Sequence, residues 1–156
     1  MLQKLPFSNP KKQKQSYSGK KKKHTFKAQI IVDKATKLIL ATSFAKGSVH
    51  DFSLLKKSKV LKKIKLTTKI LADSGYQGIK ELHKESEIPF KKTKKNRLNK
   101  EQKAQNHQLS KLRIVVENVI GDLKVFKILS TKYRNCRKRL ILRFNLICSL
   151  CNLMII

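Results

Sequence analysis

The sequence predicts one mixed α/β domain, and three stretches carry that prediction. "HTFKAQIIVD" (24–33) alternates, with Phe26, Ala28, Ile30 and Val32 on one face, which is the period of a half-buried strand. "TTKILAD" (67–73) is a short apolar run without alternation, as suits a strand covered on both faces. Leu112, Val115, Val116, Val119, Ile120, Leu123 and Phe126 recur at helical spacing. Strands and helices interleaved in this order build a sheet flanked by helices, and 156 residues suit one such domain.

The remaining elements follow in order. Residues 1–23 are polar and basic, marked by Pro6, Pro10 and Gly19, and read as a basic arm ahead of a folded part at 24–156. After the strand at 24–33, "DKATK" turns the chain and "LILATSFA" (38–45) returns as the second strand of a hairpin. Gly47 ends it. "HDFSLLKKSKVLKKI" (50–64) reads as an amphipathic helix N-capped by Asp51. Beyond the strand at 67–73 come a brief helix at 77–86 and a small strand at "IPFKK" (88–92). A long helix is expected from Asn99 to about Phe126, and a last one over 137–156.

Charge is the loudest feature of the composition. Thirty-eight Lys and Arg stand against nine Asp and Glu, a net charge of +29. Such an excess repels itself in the folded state and points to a polyanionic partner, although AT-rich coding also raises lysine content. The excess is clustered, in "KKQKQSYSGKKKKH" (11–24), "KKTKKNRLNK" (91–100) and "RKR" (137–139), which favours nucleic acid. Cys136, Cys148 and Cys151 are an odd number without a signal peptide, which fits a reduced cytoplasmic setting. Cys148 and Cys151 have C-x-x-C spacing but no second ligand pair nearby, so they read as core thiols rather than a zinc site. The C-terminal apolar run is broken by Asn145, Ser149 and Asn152, too short and polar for a membrane span.

Nine acids are the candidates for carboxylate chemistry: Asp33, Asp51, Asp73, Glu81, Glu85, Glu87, Glu101, Glu117 and Asp122. Asp33 belongs to the hairpin turn. Glu81, Glu85 and Glu87 sit among lysines on a short surface element, and Glu101 opens the long helix. Asp73 differs, because it ends an apolar strand and so faces the crevice where α/β sheets bind ligands. Its other reading is an Asx cap on the turn through Ser74 and Gly75. Glu117 lies on the polar side of the long helix, where it could serve a site or pair with Arg113 at i, i−4. His50 and Asp51 form a His-Asp pair that suggests acid–base work, against the plainer capping role of Asp51. His24, His83 and His107 have no evident partners, and Tyr17 and Tyr76 could stack or pack.

"YSGKKKKHTFKAQIIVD", "GSVHD", "LADSGYQG" and "VENVIGDLK" occur here in one series, over nearly the whole chain from Leu5 to Asn152. In order and spacing this series resembles the IS5-type transposases with a DDE domain. The resemblance implies an RNase H-like fold and metal-dependent phosphoryl transfer on DNA, in a cytoplasmic, nucleoid-associated bacterial setting. It implies that Asp73 and Glu117 are catalytic carboxylates holding Mg²⁺ or Mn²⁺ in a two-metal site, with Asp51 as a further possible ligand. Two such ions stabilise the attacking and leaving oxygens of an in-line displacement. The DNA would be the insertion-sequence ends and target, and a second copy or an intact transposase a protein partner. Lys20, Lys21, Lys22, Lys23, His24, Lys27, Arg113 and Lys124 are the expected DNA contacts.

In relatives the first of three acids lies in a "DGT"-like motif, shortly before a "P-x-x-R-P"-like stretch. "LPFSNP" (5–10) resembles that stretch, with Asn9 for Arg, and "MLQK" stands where the acid is expected. The expectation is therefore an RNase H-like sheet that lacks its first, central strand and leaves the hairpin with an open edge. A chain of this kind would not transpose alone. The alternative function is a catalytically dead DNA-binding remnant or an inhibitor of transposition. A charge-based RNA-binding role explains none of the motif placement. If the basic clusters meet phosphates, duplex DNA affinity falls by about 10³–10⁵ between 50 and 200 mM salt. Filter binding across that range checks it; an affinity that ignores salt would remove DNA from the account.

Overall fold

The computed structural model describes residues 2–6, 17–18, 23–92, 97–131 and 139–155. The chain divides into two units, Met1–His50 with Val116–Ile156, and Asp51–Val115.

In the first unit a four-stranded sheet is built on one long strand. Its strands are β1 (Leu2–Pro6), β2 (Tyr17–Ser18), β3 (Lys23–Val32) and β4 (Ile39–Lys46). β3 and β4 form the expected antiparallel hairpin, with Phe26 opposite Lys46, Ala28 opposite Phe44 and Ile30 opposite Thr42. Asp33 makes the turn: its Oδ2 accepts from the Thr36 amide at 3.0 Å and the Thr36 hydroxyl at 2.6 Å. These local bonds are why Asp favours turns, and they hold the Asp33 carboxyl below its ordinary pKa. β1 pairs antiparallel with β3 from Leu2 opposite Gln29 to Pro6 opposite Thr25. The hairpin edge expected to be open thus carries a strand, inside the stretch read as a basic arm. It is short: its 5 residues match only half of the 10 in β3.

Two helices close the apolar face of this sheet. The long helix α3 (Lys100–Val125) contributes Val119, Ile120 and Leu123, and the last helix α5 (Leu140–Leu153) contributes Leu140, Phe144, Ile147, Cys148 and Cys151. Between them the short helix α4 (Lys127–Ser130) buries Leu129. Phe144 meets Phe44 edge-on, with ring centroids 5.2 Å apart. The polar interruptions of α5 have a specific use. Asn152 accepts from the Ile39 amide at 2.9 Å and donates to the Ile39 carbonyl at 3.0 Å, so its side chain stands in for a strand neighbour. Asn145 accepts from the Thr42 hydroxyl at 2.8 Å. Cys148 and Cys151 are free, buried thiols, and burial pushes Cys148 up to about 12, which suits core packing and not metal binding. Among the described residues no helix is long and apolar enough to cross a membrane.

The second unit is looser in secondary structure. Helix α1 (Asp51–Ser58) stops where Lys59 takes a left-handed φ of 54°, and a 3₁₀ turn at Val60–Lys63 completes the stretch read as one helix. The strand expected at 67–73 is reduced to β5 (Ile70–Leu71), and the one expected at 88–92 lies earlier, at β6 (Ser86–Glu87). The two pair in parallel, with the Ile70 amide on the Glu85 carbonyl at 2.8 Å and the Ala72 amide on Glu87 at 3.0 Å. Strand length is set by the partner, and two residues of β6 support only two of β5. Among the described residues the strands pair as two sheets, where the sequence reading has one. Helix α2 is confined to Ile79–Leu82, ending where His83 turns extended.

α3 begins with a reciprocal cap, in which the Gln102 amide donates to Asn99 Oδ1 at 2.7 Å and the Asn99 amide to Gln102 Oε1 at 3.2 Å. Asn106, on its second turn, grips the backbone of Phe90 as Asn152 grips Ile39, at 2.8 and 3.0 Å. The two clamps predict different costs. Asn152→Leu leaves the part-buried Ile39 amide and carbonyl unpaired and should destabilise by about 1–3 kcal/mol. Asn106→Leu acts at an exposed site where water can substitute, and should cost less. Urea denaturation of both variants checks this; equal costs would contradict it.

Candidate active site

Asp73 is held at the end of β5 by local bonds. Its backbone is extended, and Oδ1 accepts the Ser74 amide at 2.7 Å, capping the 3₁₀ turn Ser74–Tyr76. The Asx reading of Asp73 is therefore real, but it leaves the side chain 45% exposed. Arg113, from the first part of α3, reaches the same oxygen at 3.4 Å. Arg113 was expected among the DNA contacts or beside Glu117; it is an ion-pair partner of Asp73 and only 17% exposed, so it is not a free surface cation.

The two glycines after Asp73 are explained by the start of α1. A Cβ at Gly75 would lie 3.2 Å from Asp51 Oδ2. A Cβ at Gly78 would lie 3.2 and 3.3 Å from two ring carbons of Phe52, and Gly78 also has a φ of +89°. Asp51 and Phe52 thus sit in the notches the glycines leave, and Lys56 lies 4.6 Å over the Phe52 ring. Asp51 is the first residue of α1, where a carboxylate suits the positive end of the helix dipole. Asp51 of the "HD" motif and the "DSGYQG" turn, far apart in sequence, thus pack together.

Tyr76 closes the turn from inside. It is 3% exposed, and its hydroxyl has no hydrogen-bond partner. Burial, then the charges of Asp51 and Asp73, push the phenol well above its ordinary pKa, so it is a neutral O–H at any physiological pH. The feature missed by sequence reasoning is this use of Phe52, Gly78 and Tyr76. The spacing of the glycines around a tyrosine was its only visible signal.

The other expected residues divide clearly. Glu117 is exposed on α3, in the unit containing Val116–Ile156. Lys124 is exposed on the same helix. Lys27, expected on the DNA-facing surface, is instead 5% exposed, and its Nζ donates to the Val49 carbonyl. β3 is covered on both faces, so an odd-numbered position of that strand is interior. Lys23 and His24 lie in β3, with side chains outside the described residues, as are Lys20, Lys21 and Lys22 altogether. His83 is buried, with Nε2 3.3 Å from the Lys65 carbonyl, a packing role. Among the described residues no group of three His, Cys, Asp or Glu side chains gathers as a ready metal cluster.

Comparison with known proteins adds two findings. Residues 4–152 match the family of DDE superfamily endonucleases. A probable transposase for insertion sequence element IS702 from Microchaete diplosiphon is 48% identical over 148 residues, which is 94% of this chain and 53% of that protein. The chain thus spans about half the length of that curated relative. No solved structure matches. With almost the whole sequence inside the family match, the chain belongs to the DDE superfamily endonucleases.

Proposed function

We propose that this chain derives from an IS5-type insertion-sequence transposase with an RNase H-like catalytic fold, and that its carboxylates serve metal-dependent strand cleavage and transfer on DNA. The observation that carries the reading is Asp73, an acid at a strand end on a turn fixed by Asp51 and Phe52. Asp73 and Glu117 are the residues that would hold Mg²⁺ or Mn²⁺, with Asp51 beside the Asp73 turn as a further carboxylate. The donor set fits such an ion: hard divalent cations take carboxylate oxygens and water, and both described contacts of Asp73 fall on Oδ1. When bound, the ions would stabilise charge on the attacking and leaving oxygens of the phosphodiester.

The chain's own residues supply position and charge. The Ser74 amide and the Arg113 guanidinium both hold Oδ1 of Asp73 and so fix its side chain, while the buried Tyr76 fills the interior of the turn. Exposed lysines such as Lys124 would draw and hold phosphates. Insertion-sequence ends, target DNA, and a second copy or an intact transposase are the partners this reading names.

A second reading, a DNA-binding remnant or transposition inhibitor without catalysis, is favoured by one observation. Arg113 already neutralises Asp73, as a structural ion pair would. Nicking of supercoiled DNA by the purified chain in Mn²⁺ separates the two. The first reading expects nicking that Asp73→Asn and Glu117→Gln each reduce to background, with circular dichroism unchanged. Salt-dependent binding without nicking in a folded sample would establish the second.

A further inference from the structure

We infer that the corner formed by α1 and the 3₁₀ turn after it is a docking surface for the phosphate backbone of duplex DNA. The inference rests on the DNA reading above and adds to it a surface and the residues that form it. Lys56, Lys57, Lys59, Lys62, Lys63 and Lys65 are six cations in ten residues, and all are exposed. No Asp or Glu interrupts the chain between Asp51 and Asp73. Among the described residues none of the six enters an ion pair, whereas Lys69, just beyond them, is taken by Glu87. Like charges gathered this closely repel one another, and a polyanion laid across them relieves that repulsion. Apolar residues interrupt the series in sequence, so it reads as a helix; folding buries Leu54 and Leu55 and leaves the lysines outside.

A run of lysines is often no more than a solvated face, but this one is anchored at both ends. Lys56 lies 4.6 Å over the Phe52 ring, and that ring fills the notch at Gly78, five residues beyond Asp73. Glu81 also borders the notch, so it offsets the positive potential at this end only. At the other end the Lys65 carbonyl accepts from the Thr68 amide at 2.9 Å, with Nε2 of the buried His83 3.3 Å away. Between them the Lys62 amide donates to the Lys59 carbonyl at 3.1 Å, which ties the two lysines across the turn. A backbone fixed in this way sets where the ammonium groups emerge, so less freedom is lost when phosphates bind. The Lys56 end stands beside the Asp73 turn within one unit, so a duplex held here runs past the candidate site.

The test is duplex binding by the full chain in EDTA, where no cleavage intervenes, read by fluorescence anisotropy between about 50 and 200 mM salt. Lys59 has a left-handed φ of 54°, which glycine adopts without steric cost, so Lys59→Gly removes one charge and keeps the turn. Lys37→Gly is the control, an exposed lysine with a φ of 63° in the hairpin turn of the other unit. Lys59→Gly should lower the slope of log affinity against log salt by about 0.9, and Lys62→Gln with Lys63→Gln by about twice that. Lys37→Gly should leave the slope unchanged. The losses should be equal for unrelated duplex sequences, because phosphate contacts carry no sequence information. An equal loss from Lys37→Gly, or no loss from the corner variants, would overturn the inference, while salt-dependent binding by the intact chain would keep the DNA reading. Corner variants that weaken hairpin RNA but not duplex DNA would assign the surface to RNA and overturn it as well. If the intact chain binds no duplex at any salt, both fall.

Discussion

The candidate site depends on two missing β-carbons. Gly75 and Gly78 leave notches that Asp51 and Phe52 fill, and a methyl group at either would come within 3.2 Å of a side-chain atom. Close packing of this kind is stiff, because displaced atoms have nowhere to go without losing other contacts. Asp73 gains from that stiffness. It follows a two-residue strand with a single described neighbour strand, which by itself would hold a carboxylate poorly. Helix α1 supplies the rigidity the sheet lacks, through contacts between segments more than twenty positions apart in sequence.

Charge imposes a second constraint. In a chain of +29, a carboxylate is surrounded by potential partners, and each acid is defined by which cation it meets. Glu87 pairs with Lys69 at 2.8 Å with both side chains largely open to water, a contact worth roughly 0–1 kcal/mol. Asp33 spends its oxygens on its own turn. Asp73 meets Arg113, a guanidinium that is mostly buried and so less screened. Lys27 shows the converse, a cation drawn into the interior to hold the Val49 carbonyl, on the loop that leads to Asp51. The lysine excess is thus partly structural, and counting cations overstates the DNA-facing surface.

Much of this was legible in the sequence, for identifiable reasons. The hairpin at 24–45, the start of α3 at Asn99 and its end near Phe126 follow from strong periodicity and local caps, and the structure has them. The motif series pointed to a DDE domain, and the comparison shows the DDE superfamily endonucleases. What was not legible depended on partners distant in sequence. The extent of β5 is set by β6, and the pairing of Leu2–Pro6 is set by β3. The Arg113 partner is chosen by the fold, although i, i−4 spacing from Glu117 suggested another. For Lys27 the alternation of β3 was visible, but not that both faces of the strand are covered. The glycines announced a tight turn without naming what would fill it.

The central claim is that Asp73, on a turn packed against the start of α1, and Glu117 are the carboxylates that would take a divalent cation. Paramagnetic broadening of the backbone amide spectrum by substoichiometric Mn²⁺ tests it most directly, because each acid reports through its own neighbours. The account predicts that the amides of Asp73 to Tyr76 and those around Glu117 broaden first. Broadening centred on Glu81, Glu85 and Glu87, or on Glu101, with the Asp73 turn unaffected, would contradict it.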